Sequence, residues 1–110
     1  MNLIKRNRIL RASPAIRSMV AENTLQPRDF IAPLFVVEGK GIQEAISSMP
    51  GYFRQSLDLT VKEVRELQGL GIPSVLLFVK VPEKLKDNRG KEALNPEGLM
   101  QRTIRAIKEA

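Results

Sequence analysis

The stretch Phe30-Ile-Ala-Pro-Leu-Phe-Val-Val-Glu-Gly39 decides the fold, together with its counterpart Gly71-Ile-Pro-Ser-Val-Leu-Leu-Phe78. Each is a nearly continuous apolar run, which is typical of a strand buried on both faces of a parallel sheet. A proline cannot donate to a strand ladder, so Pro33 is expected near the start of the pairing or at an unpaired position. We therefore predict two buried strands, at residues 30–37 and 74–81.

A helical pattern joins these strands. Thr60-Val-Lys-Glu63 matches a capping box, in which the hydroxyl and the glutamate satisfy the first free amides of a helix. Gly71 is expected in the left-handed conformation that ends a helix, and Pro73 prevents continuation. The apolar face of this helix would be Val61, Val64, Leu67 and Leu70. A helix between two parallel strands predicts a right-handed crossover.

A turn and a second helix complete this region. Pro50-Gly51 suits a type II turn, and residues 52–57 could form a small hairpin with Ala45-Ile46. Residues 83–94 are polar and are expected to form an exposed loop, which could be solvated surface or part of an active-site rim. Asn95-Pro-Glu97 carries the signals of a helix start. The buried stripe of that helix would be Leu99, Met100, Thr103, Ile104 and Ile107.

The N-terminal region differs from the rest of the chain. Residues 1–12 are basic and lack a periodicity long enough to fold alone, which indicates an arm ordered by contact with something else. Ser13-Pro14 should open a short helix whose apolar positions are Ile16, Met19 and Val20. We divide the chain into residues 1–24, an arm with a short helix, and residues 25–110, the βα units.

Composition excludes several classes of site. The 110 residues contain no cysteine and no histidine, so disulfides, thiolate or imidazole zinc sites and Ser/His or Cys/His catalytic pairs cannot be built from them. The net charge is +6, and a basic arm can bind phosphates, although such arms more often dock on an acidic neighbour. Aromatic residues make up only 5% and no basic motif appears, so nucleic acid is not the expected partner. No apolar run reaches the length of a membrane span, and no secretory signal is apparent.

Candidate chemistry is sparse. Gly39-Lys-Gly41 lacks the spacing of a phosphate loop and is expected to be a turn. Lys80 ends the second strand, at the edge where α/β folds place ligands, and could be a Schiff-base amine, an anion clamp or a lysine whose head reaches solvent. Glu38 ends the first strand and could pair with Lys80. The residues alone therefore predict an α/β sheet, cut short after two βα units, without a complete catalytic set.

Eight short sequence motifs occur in a characteristic order and spacing, and together they resemble the N-terminal third of the porphobilinogen synthase family, also called delta-aminolevulinic acid dehydratase. The likeness covers nearly the whole chain, including Ser13-Pro-Ala15. The motifs are Ala32-Pro-Leu-Phe-Val-Val-Glu-Gly39, Ser48-Met-Pro-Gly51, Ser56-Leu-Asp58, Gly71-Ile-Pro73, Leu77-Phe78, Lys86-Asp87, Glu92-Ala93 and Asn95-Pro-Glu-Gly-Leu99.

The resemblance implies an incomplete (β/α)8 barrel of a cytoplasmic enzyme, a lyase of heme biosynthesis that condenses two molecules of 5-aminolevulinate into porphobilinogen. The family uses two barrel lysines as Schiff bases and a zinc or magnesium ion, and it places these groups beyond the equivalent of Ala110. No catalytic, cofactor-binding or metal-binding residue is therefore expected within this chain, which alone should be inactive. A complete barrel needs roughly 250 residues.

The resemblance also implies two roles for residues that are present. The family uses its N-terminal arm to embrace a neighbouring subunit, commonly in octamers, and this assigns Arg6, Arg8, Leu10 and Arg11 to a subunit interface. Phe78 matches a family position that lines the pocket, or it could simply be a core aromatic. The family commonly has Gly-Val after this phenylalanine, whereas this chain has Val79-Lys80, which puts the local pocket shape in question. The alternative function is a small basic module that binds nucleic acid or protein.

Overall fold

Four strands form one mixed sheet in this computed structural model, which describes residues 7–110. The strands are β1 (Ile31–Val37), β2 (Gln43–Ala45), β3 (Phe53–Ser56) and β4 (Ser74–Lys80). Their order across the sheet is β2-β3-β1-β4, so β2 and β4 are the outer strands. The chain is thus an α/β protein, and both strands predicted from the apolar runs are confirmed.

The three strands β1, β3 and β4 run parallel. β4 pairs with the whole of β1, from Ile31 opposite Ser74 to Val37 opposite Lys80, whereas β3 pairs only with the last three residues of β1. Pro33 therefore lies where β1 has a neighbour on one side only, in a stretch of β1 that β3 does not reach. This agrees with the expectation of a position near the start of the pairing or without a partner, and the one-sided pairing explains why a residue without an amide proton is tolerated there.

The prediction that the strands are buried on both faces is wrong. Leu34 and Val36 are buried, but Phe35 between them points to the opposite face and is only half-buried, and β4 alternates between half-buried and exposed positions. Two helices cover one face, since α2 (Leu57–Gly69) packs against β1 and β3, and α3 (Leu99–Glu109) packs against β4. We call the uncovered face, which carries Ile31, Phe35, Leu76 and Phe78, the open face.

The predicted hairpin is confirmed, and it joins the main sheet. β2 pairs antiparallel with β3, with Glu44 opposite Arg54. The turn between them runs from Met49 to Tyr52, whose amide donates to the Met49 carbonyl at 3.0 Å. Gly51 occupies the third position with φ of +83°, as a type II turn requires. The turn thus sets the register that brings the charged residues of the hairpin to the open face.

The predicted start of α2 is wrong. The helix begins at Leu57 after the cap residue Ser56, so Thr60 lies inside it rather than at its cap. The Thr60 side chain is almost fully buried, and its hydroxyl donates to the Ser56 carbonyl at 3.1 Å. A buried threonine that bonds back to the preceding turn needs no cap role.

The predicted end of α2 is confirmed. Gly71 has φ of +85°, its amide donates to the Gln68 carbonyl, and the Ile72 amide donates to the Leu67 carbonyl. These two bonds define a Schellman motif, which closes the helix and turns the chain into β4. Leu70 is exposed, contrary to its predicted place on the buried face, because it lies past the last helical residue.

The last helix also starts later than predicted. Asn95 does act as a local cap, since its Oδ1 accepts the Glu97 amide at 3.0 Å, but α3 begins at Leu99 with Gly98 before it. Leu99 and Thr103 of the predicted stripe are buried, whereas Ile104 is exposed. Within residues 7–110, the buried apolar side chains are Leu34, Val36, Ile46 and Leu99.

The N-terminal segment projects from the sheet. Helix α1 (Pro14–Met19) opens as predicted, with the Ser13 hydroxyl accepting the Ile16 amide at 3.2 Å, but it ends at Met19, which is 85% exposed. The Cα radius of gyration is 21.7 Å, well above the roughly 13 Å of a compact domain of this length. In the part of the chain described here, no helix is long and apolar enough to cross a membrane.

Candidate functional site

The candidate site lies on the open face, at the edge of the sheet where β1, β3 and β4 end. Parallel strands present their carboxyl ends at one edge, and α/β folds place ligands there. The strand register aligns Arg54 with Phe35 and Phe35 with Phe78 in one row across the sheet. Lys80 lies two residues farther along β4, on the same face, at its last position. The sequence therefore placed Lys80 correctly at a strand end.

Two phenyl rings form the floor of this site. The ring centroids of Phe35 and Phe78 are 5.3 Å apart and the rings are nearly parallel, with an angle of 21° between them. Such an offset stack stabilises both side chains beyond the burial of their surface. Phe78 remains 47% exposed, so its second face is free to contact something else. The rings belong to a shallow cavity of ≈ 210 Å³, which Arg54 and Lys80 also line.

Charged side chains stand beside the rings. Glu44 on β2 accepts from the Lys80 ammonium at 3.2 and 3.4 Å and from the Arg54 guanidinium at 3.3 Å. The expected pair of Glu38 and Lys80 is wrong, because Glu38 bonds instead to Arg102 of α3. Glu38 thus links α3 to the end of β1, whereas Glu44 binds two cations.

A second polar cluster, behind the strand ends, fixes the start of α2. The Ser56 hydroxyl donates to the Asp58 carboxylate and accepts the Ile42 amide at 3.0 Å. The Gly41 amide donates to both carboxylate oxygens, at 3.2 and 3.1 Å. The bond from Ser56, and next the bond from Gly41, hold the pKa of Asp58 below its ordinary value, against a smaller opposing effect of desolvation. This cluster ties the segment after β1 to the helix.

The described residues do not fit a metal ion. Nowhere in residues 7–110 do three or more histidine, cysteine, aspartate or glutamate side chains gather closely enough to hold a cation. The whole sequence also lacks cysteine and histidine, the ligands that zinc prefers.

Gly39-Lys-Gly41 forms a bend rather than a phosphate loop, as predicted, and no helix follows it directly.

Sequence reasoning missed Glu44 and Arg54. The sequence had indicated a hairpin between residues 45–46 and 52–57, and extending that pairing by one residue would have set Glu44 opposite Arg54. The contact with Lys80, however, joins residues 36 positions apart and depends on the order of all four strands. No local pattern carries that information.

The structure describes only some of the residues that were assigned to a subunit interface. Arg6 lies outside the described residues. Arg8, Leu10 and Arg11 are all exposed, as is Ile9 at 83%. The Arg11 carbonyl accepts the Arg17 guanidinium at 3.2 Å, which links the segment to α1. Two exposed apolar side chains on a projecting segment are available for contact with another surface.

Comparisons with known proteins give one family. The family profile named delta-aminolevulinic acid dehydratase matches residues 4–110. The chain is 44% identical over its full length to the delta-aminolevulinic acid dehydratase of Chlamydia pneumoniae, of which it covers 33%. It is 49% identical over 104 residues to the Bacillus subtilis protein of that name, with 94% of this chain and 32% of the relative aligned.

A solved structure agrees. The delta-aminolevulinic acid dehydratase of Toxoplasma gondii, solved with its reaction product porphobilinogen, superposes with a TM-score of 0.90 and 40% identity. The superposition covers 97% of this chain and 30% of that one. The chain spans about a third of the length of the curated relatives that it matches. On the match of nearly every residue to the family profile, the chain belongs to the delta-aminolevulinic acid dehydratase family.

Proposed function

We propose that this chain is the leading part of a porphobilinogen synthase, a lyase that condenses two molecules of 5-aminolevulinate into porphobilinogen through lysine Schiff bases. The observation that carries the proposal is the superposition on the Toxoplasma gondii enzyme, since 97% of the chain follows that backbone at 40% identity. Identity at this level over an intact backbone supports a shared reaction as well as a shared fold. The proposed enzyme acts in the cytoplasm, in heme biosynthesis.

In the proposed enzyme the sheet is the first part of a (β/α)8 barrel, and the open face is the barrel interior. This accounts for its apolar character, because the interior of such a barrel is filled by side chains of alternating strand residues. It also accounts for the position of the helices, which form an outer ring on the opposite face. The stacked rings of Phe35 and Phe78 would then form one wall of the substrate pocket, at the end of the barrel where the strands terminate.

The chemical step itself would belong to other residues. The two Schiff-base lysines, and the ligands of a zinc or magnesium ion, would lie in the remaining two thirds of the barrel. The described residues offer no metal site of their own. The role of this chain would be to shape the pocket and to support the neighbouring strands, and we propose residues 25–110 as the barrel part and residues 1–24 as the arm.

The arm would bind a neighbouring subunit in a homo-oligomer such as an octamer. Its described part carries exposed arginines together with exposed apolar residues, Ile9 at 83% and Leu10 at 59%. A segment with both charged and apolar side chains suits binding to a protein surface better than binding to a phosphate backbone, because apolar side chains make no contact with phosphates. No geometric feature of the described residues favours the nucleic-acid alternative.

A chimera tests the proposed function directly. In it, the matching third of the Bacillus subtilis relative is replaced by this chain, to which it is 49% identical. We expect the chimera to convert 5-aminolevulinate into a product that gives the pyrrole colour with Ehrlich reagent. The same chain expressed alone should give no colour, because the Schiff-base lysines of the proposed enzyme are not among its residues.

The control is a chimera in which Leu34 is replaced by aspartate. Leu34 is 8% exposed, so a charge there should unfold the graft and abolish the colour. A correctly folded chimera without pyrrole formation would contradict the proposal, as would pyrrole formation by this chain alone. Circular dichroism of each purified protein separates loss of folding from loss of activity.

A further inference from the structure

We propose that the outer edge of β4 is an interaction surface for a second copy of this chain. Two copies join their β4 strands antiparallel, so that their two sheets become one continuous sheet. The inference goes beyond the proposed function and does not depend on it, because it concerns the backbone edge of one strand rather than any reaction.

The backbone of β4 has a partner on one side only. All of its residues pair with β1, and β4 stands last in the strand order across the sheet. Among residues 7–110, no other backbone group bonds to the amides and carbonyls of Ser74–Lys80. An edge strand of this kind presents a row of unpaired donors and acceptors, on which an added strand can form a ladder.

The two outer strands differ in how well their edges are protected. β2 has three residues and carries the charged Glu44 at its centre, and a short charged edge resists pairing with another chain. β4 has seven residues, contains no proline, and carries no charge before Lys80, its last residue. A long apolar edge without these features invites pairing. β4 is therefore the outer strand that accepts a partner.

The sequence around β4 selects one register. Pro73 and Pro82 lie close to its two ends, and neither can donate to a ladder. Antiparallel pairing centred on Leu77 brings the whole strand into the ladder, with Ser74 opposite Lys80 of the second copy. Moving the centre by one residue in either direction gives a shorter ladder and brings one of the prolines into it.

The side chains of the two copies complement each other in this register. Leu76 of each copy lies opposite Phe78 of the other, on the open face, where they are 52% and 47% exposed in the single chain. Opposite side chains contact each other across an antiparallel pair, so both lose exposed apolar surface. Lys80 lies opposite Ser74, so no like charges meet. The helices of both copies lie on the other side of the joined sheet.

The test is cysteine cross-linking of the full chain, which contains no cysteine of its own. Two variants, S74C and K80C, place a thiol at either end of β4, at positions that are exposed. In the proposed ladder the two thiols are neighbours only between copies of different type. Two copies of the same variant hold their thiols at opposite ends of the ladder, roughly 20 Å apart.

We therefore expect an equal mixture of S74C and K80C to form a covalent dimer with dibromobimane at least about tenfold faster than either variant alone, because pairing raises the effective thiol concentration. The matched control is A45C, which places a thiol on the exposed end of β2, the other outer strand. A mixture of A45C and K80C should react no faster than its components. Circular dichroism verifies that each variant is folded.

A second measurement needs no substitution. Amide hydrogen exchange of the unaltered chain is followed by nuclear magnetic resonance over a concentration series. Outward-pointing amides of β4 should become more protected as the concentration rises, because they enter the ladder between copies. The amides of β2 should keep the same exchange rates, since that edge stays free.

Three results would overturn the proposal. Equal cross-linking by the mixture and by the single variants would mean contact without a fixed register, as expected if the open faces alone stack. Faster cross-linking of S74C or K80C alone would mean a parallel arrangement. Protection that rises on β2 and not on β4 would assign the contact to the wrong edge. Each of these results is independent of whether the chimera described above forms a pyrrole.

Discussion

The two faces of the sheet are made by the same strands and yet have opposite environments. On the helix-covered face, Leu34 and Val36 are buried, with 8% and 0% exposure. On the open face, Leu76 and Phe78 of the neighbouring strand are about half exposed. Both faces are apolar, so apolar character alone does not explain which one is buried. The difference depends on what the chain itself places against each face.

The comparison teaches how to interpret a continuous apolar run. Such a run indicates a strand that is covered on both faces, but it does not indicate which elements cover each face. Here α2 and α3 cover one face. The open face corresponds, in our proposal, to the interior of a barrel, whose cover is the other strands. An exposed apolar surface of this extent is otherwise a site of association.

The largest effect should come from matched leucine substitutions on the two faces. Leu34→Ala removes a buried side chain and should lower the free energy of unfolding by about 3 kcal/mol. Leu76→Ala, at a site 52% exposed, should lower it by less than about 1 kcal/mol. Urea unfolding followed by circular dichroism measures both. Equal losses would mean that the two faces do not differ as described.

A second effect concerns association of the isolated chain. Because none of residues 7–110 covers the open face or extends the sheet beyond its outer strands, we expect the chain to self-associate as its concentration rises. Leu76→Lys should weaken this association by at least about tenfold, since a charge would have to be buried in the contact. Size-exclusion chromatography with light scattering measures it across a concentration series.

The control for association is Leu94→Lys. Leu94 is 85% exposed, but it lies in the segment before α3 and not on the open face. The same change of charge there should leave the association constant as it is. A strictly monomeric chain at high concentration, or an equal effect of both lysines, would show that the open face does not mediate the contact.

The sequence predicted the elements well because their signals are local. The apolar runs gave β1 and β4, and Gly71 gave the end of α2 through its need for a positive φ. The starts of both long helices were misplaced. Thr60 and Asn95 each carry a genuine capping pattern, but Thr60 is buried within a helix that Ser56 already begins, and Asn95 caps a turn ahead of α3.

The candidate site was less accessible from sequence. Phe78 could be placed at a strand end, and its ring does line a cavity there. The stack of Phe78 on Phe35 and the pairing of Lys80 with Glu44 follow from the order of the four strands across the sheet. The sequence pattern of each strand does not determine that order. Glu38 and Glu44 were equally available partners for Lys80 in the sequence. In the structure Arg102 of α3 binds Glu38, and the order of the strands brings Glu44 to Lys80.

The smallest effect should come from pH, through the cluster that supports the helix-covered face. The bonds from Ser56 and Gly41 lower the pKa of Asp58 in the folded chain below 3.8, its value in an unfolded chain. A carboxylate of this kind stabilises the fold at pH values above 3.8, and its contribution is lost as the pH falls below that value toward the folded pKa. Asp58→Asn should therefore lower the urea midpoint at pH 6 and change it less at pH 3. Glu66→Gln, which also removes one carboxylate from α2, controls for net charge. If the two faces are as independent as their environments suggest, Asp58→Asn should leave the self-association of the chain through the open face unchanged, and a weaker association would show that the cluster supports both.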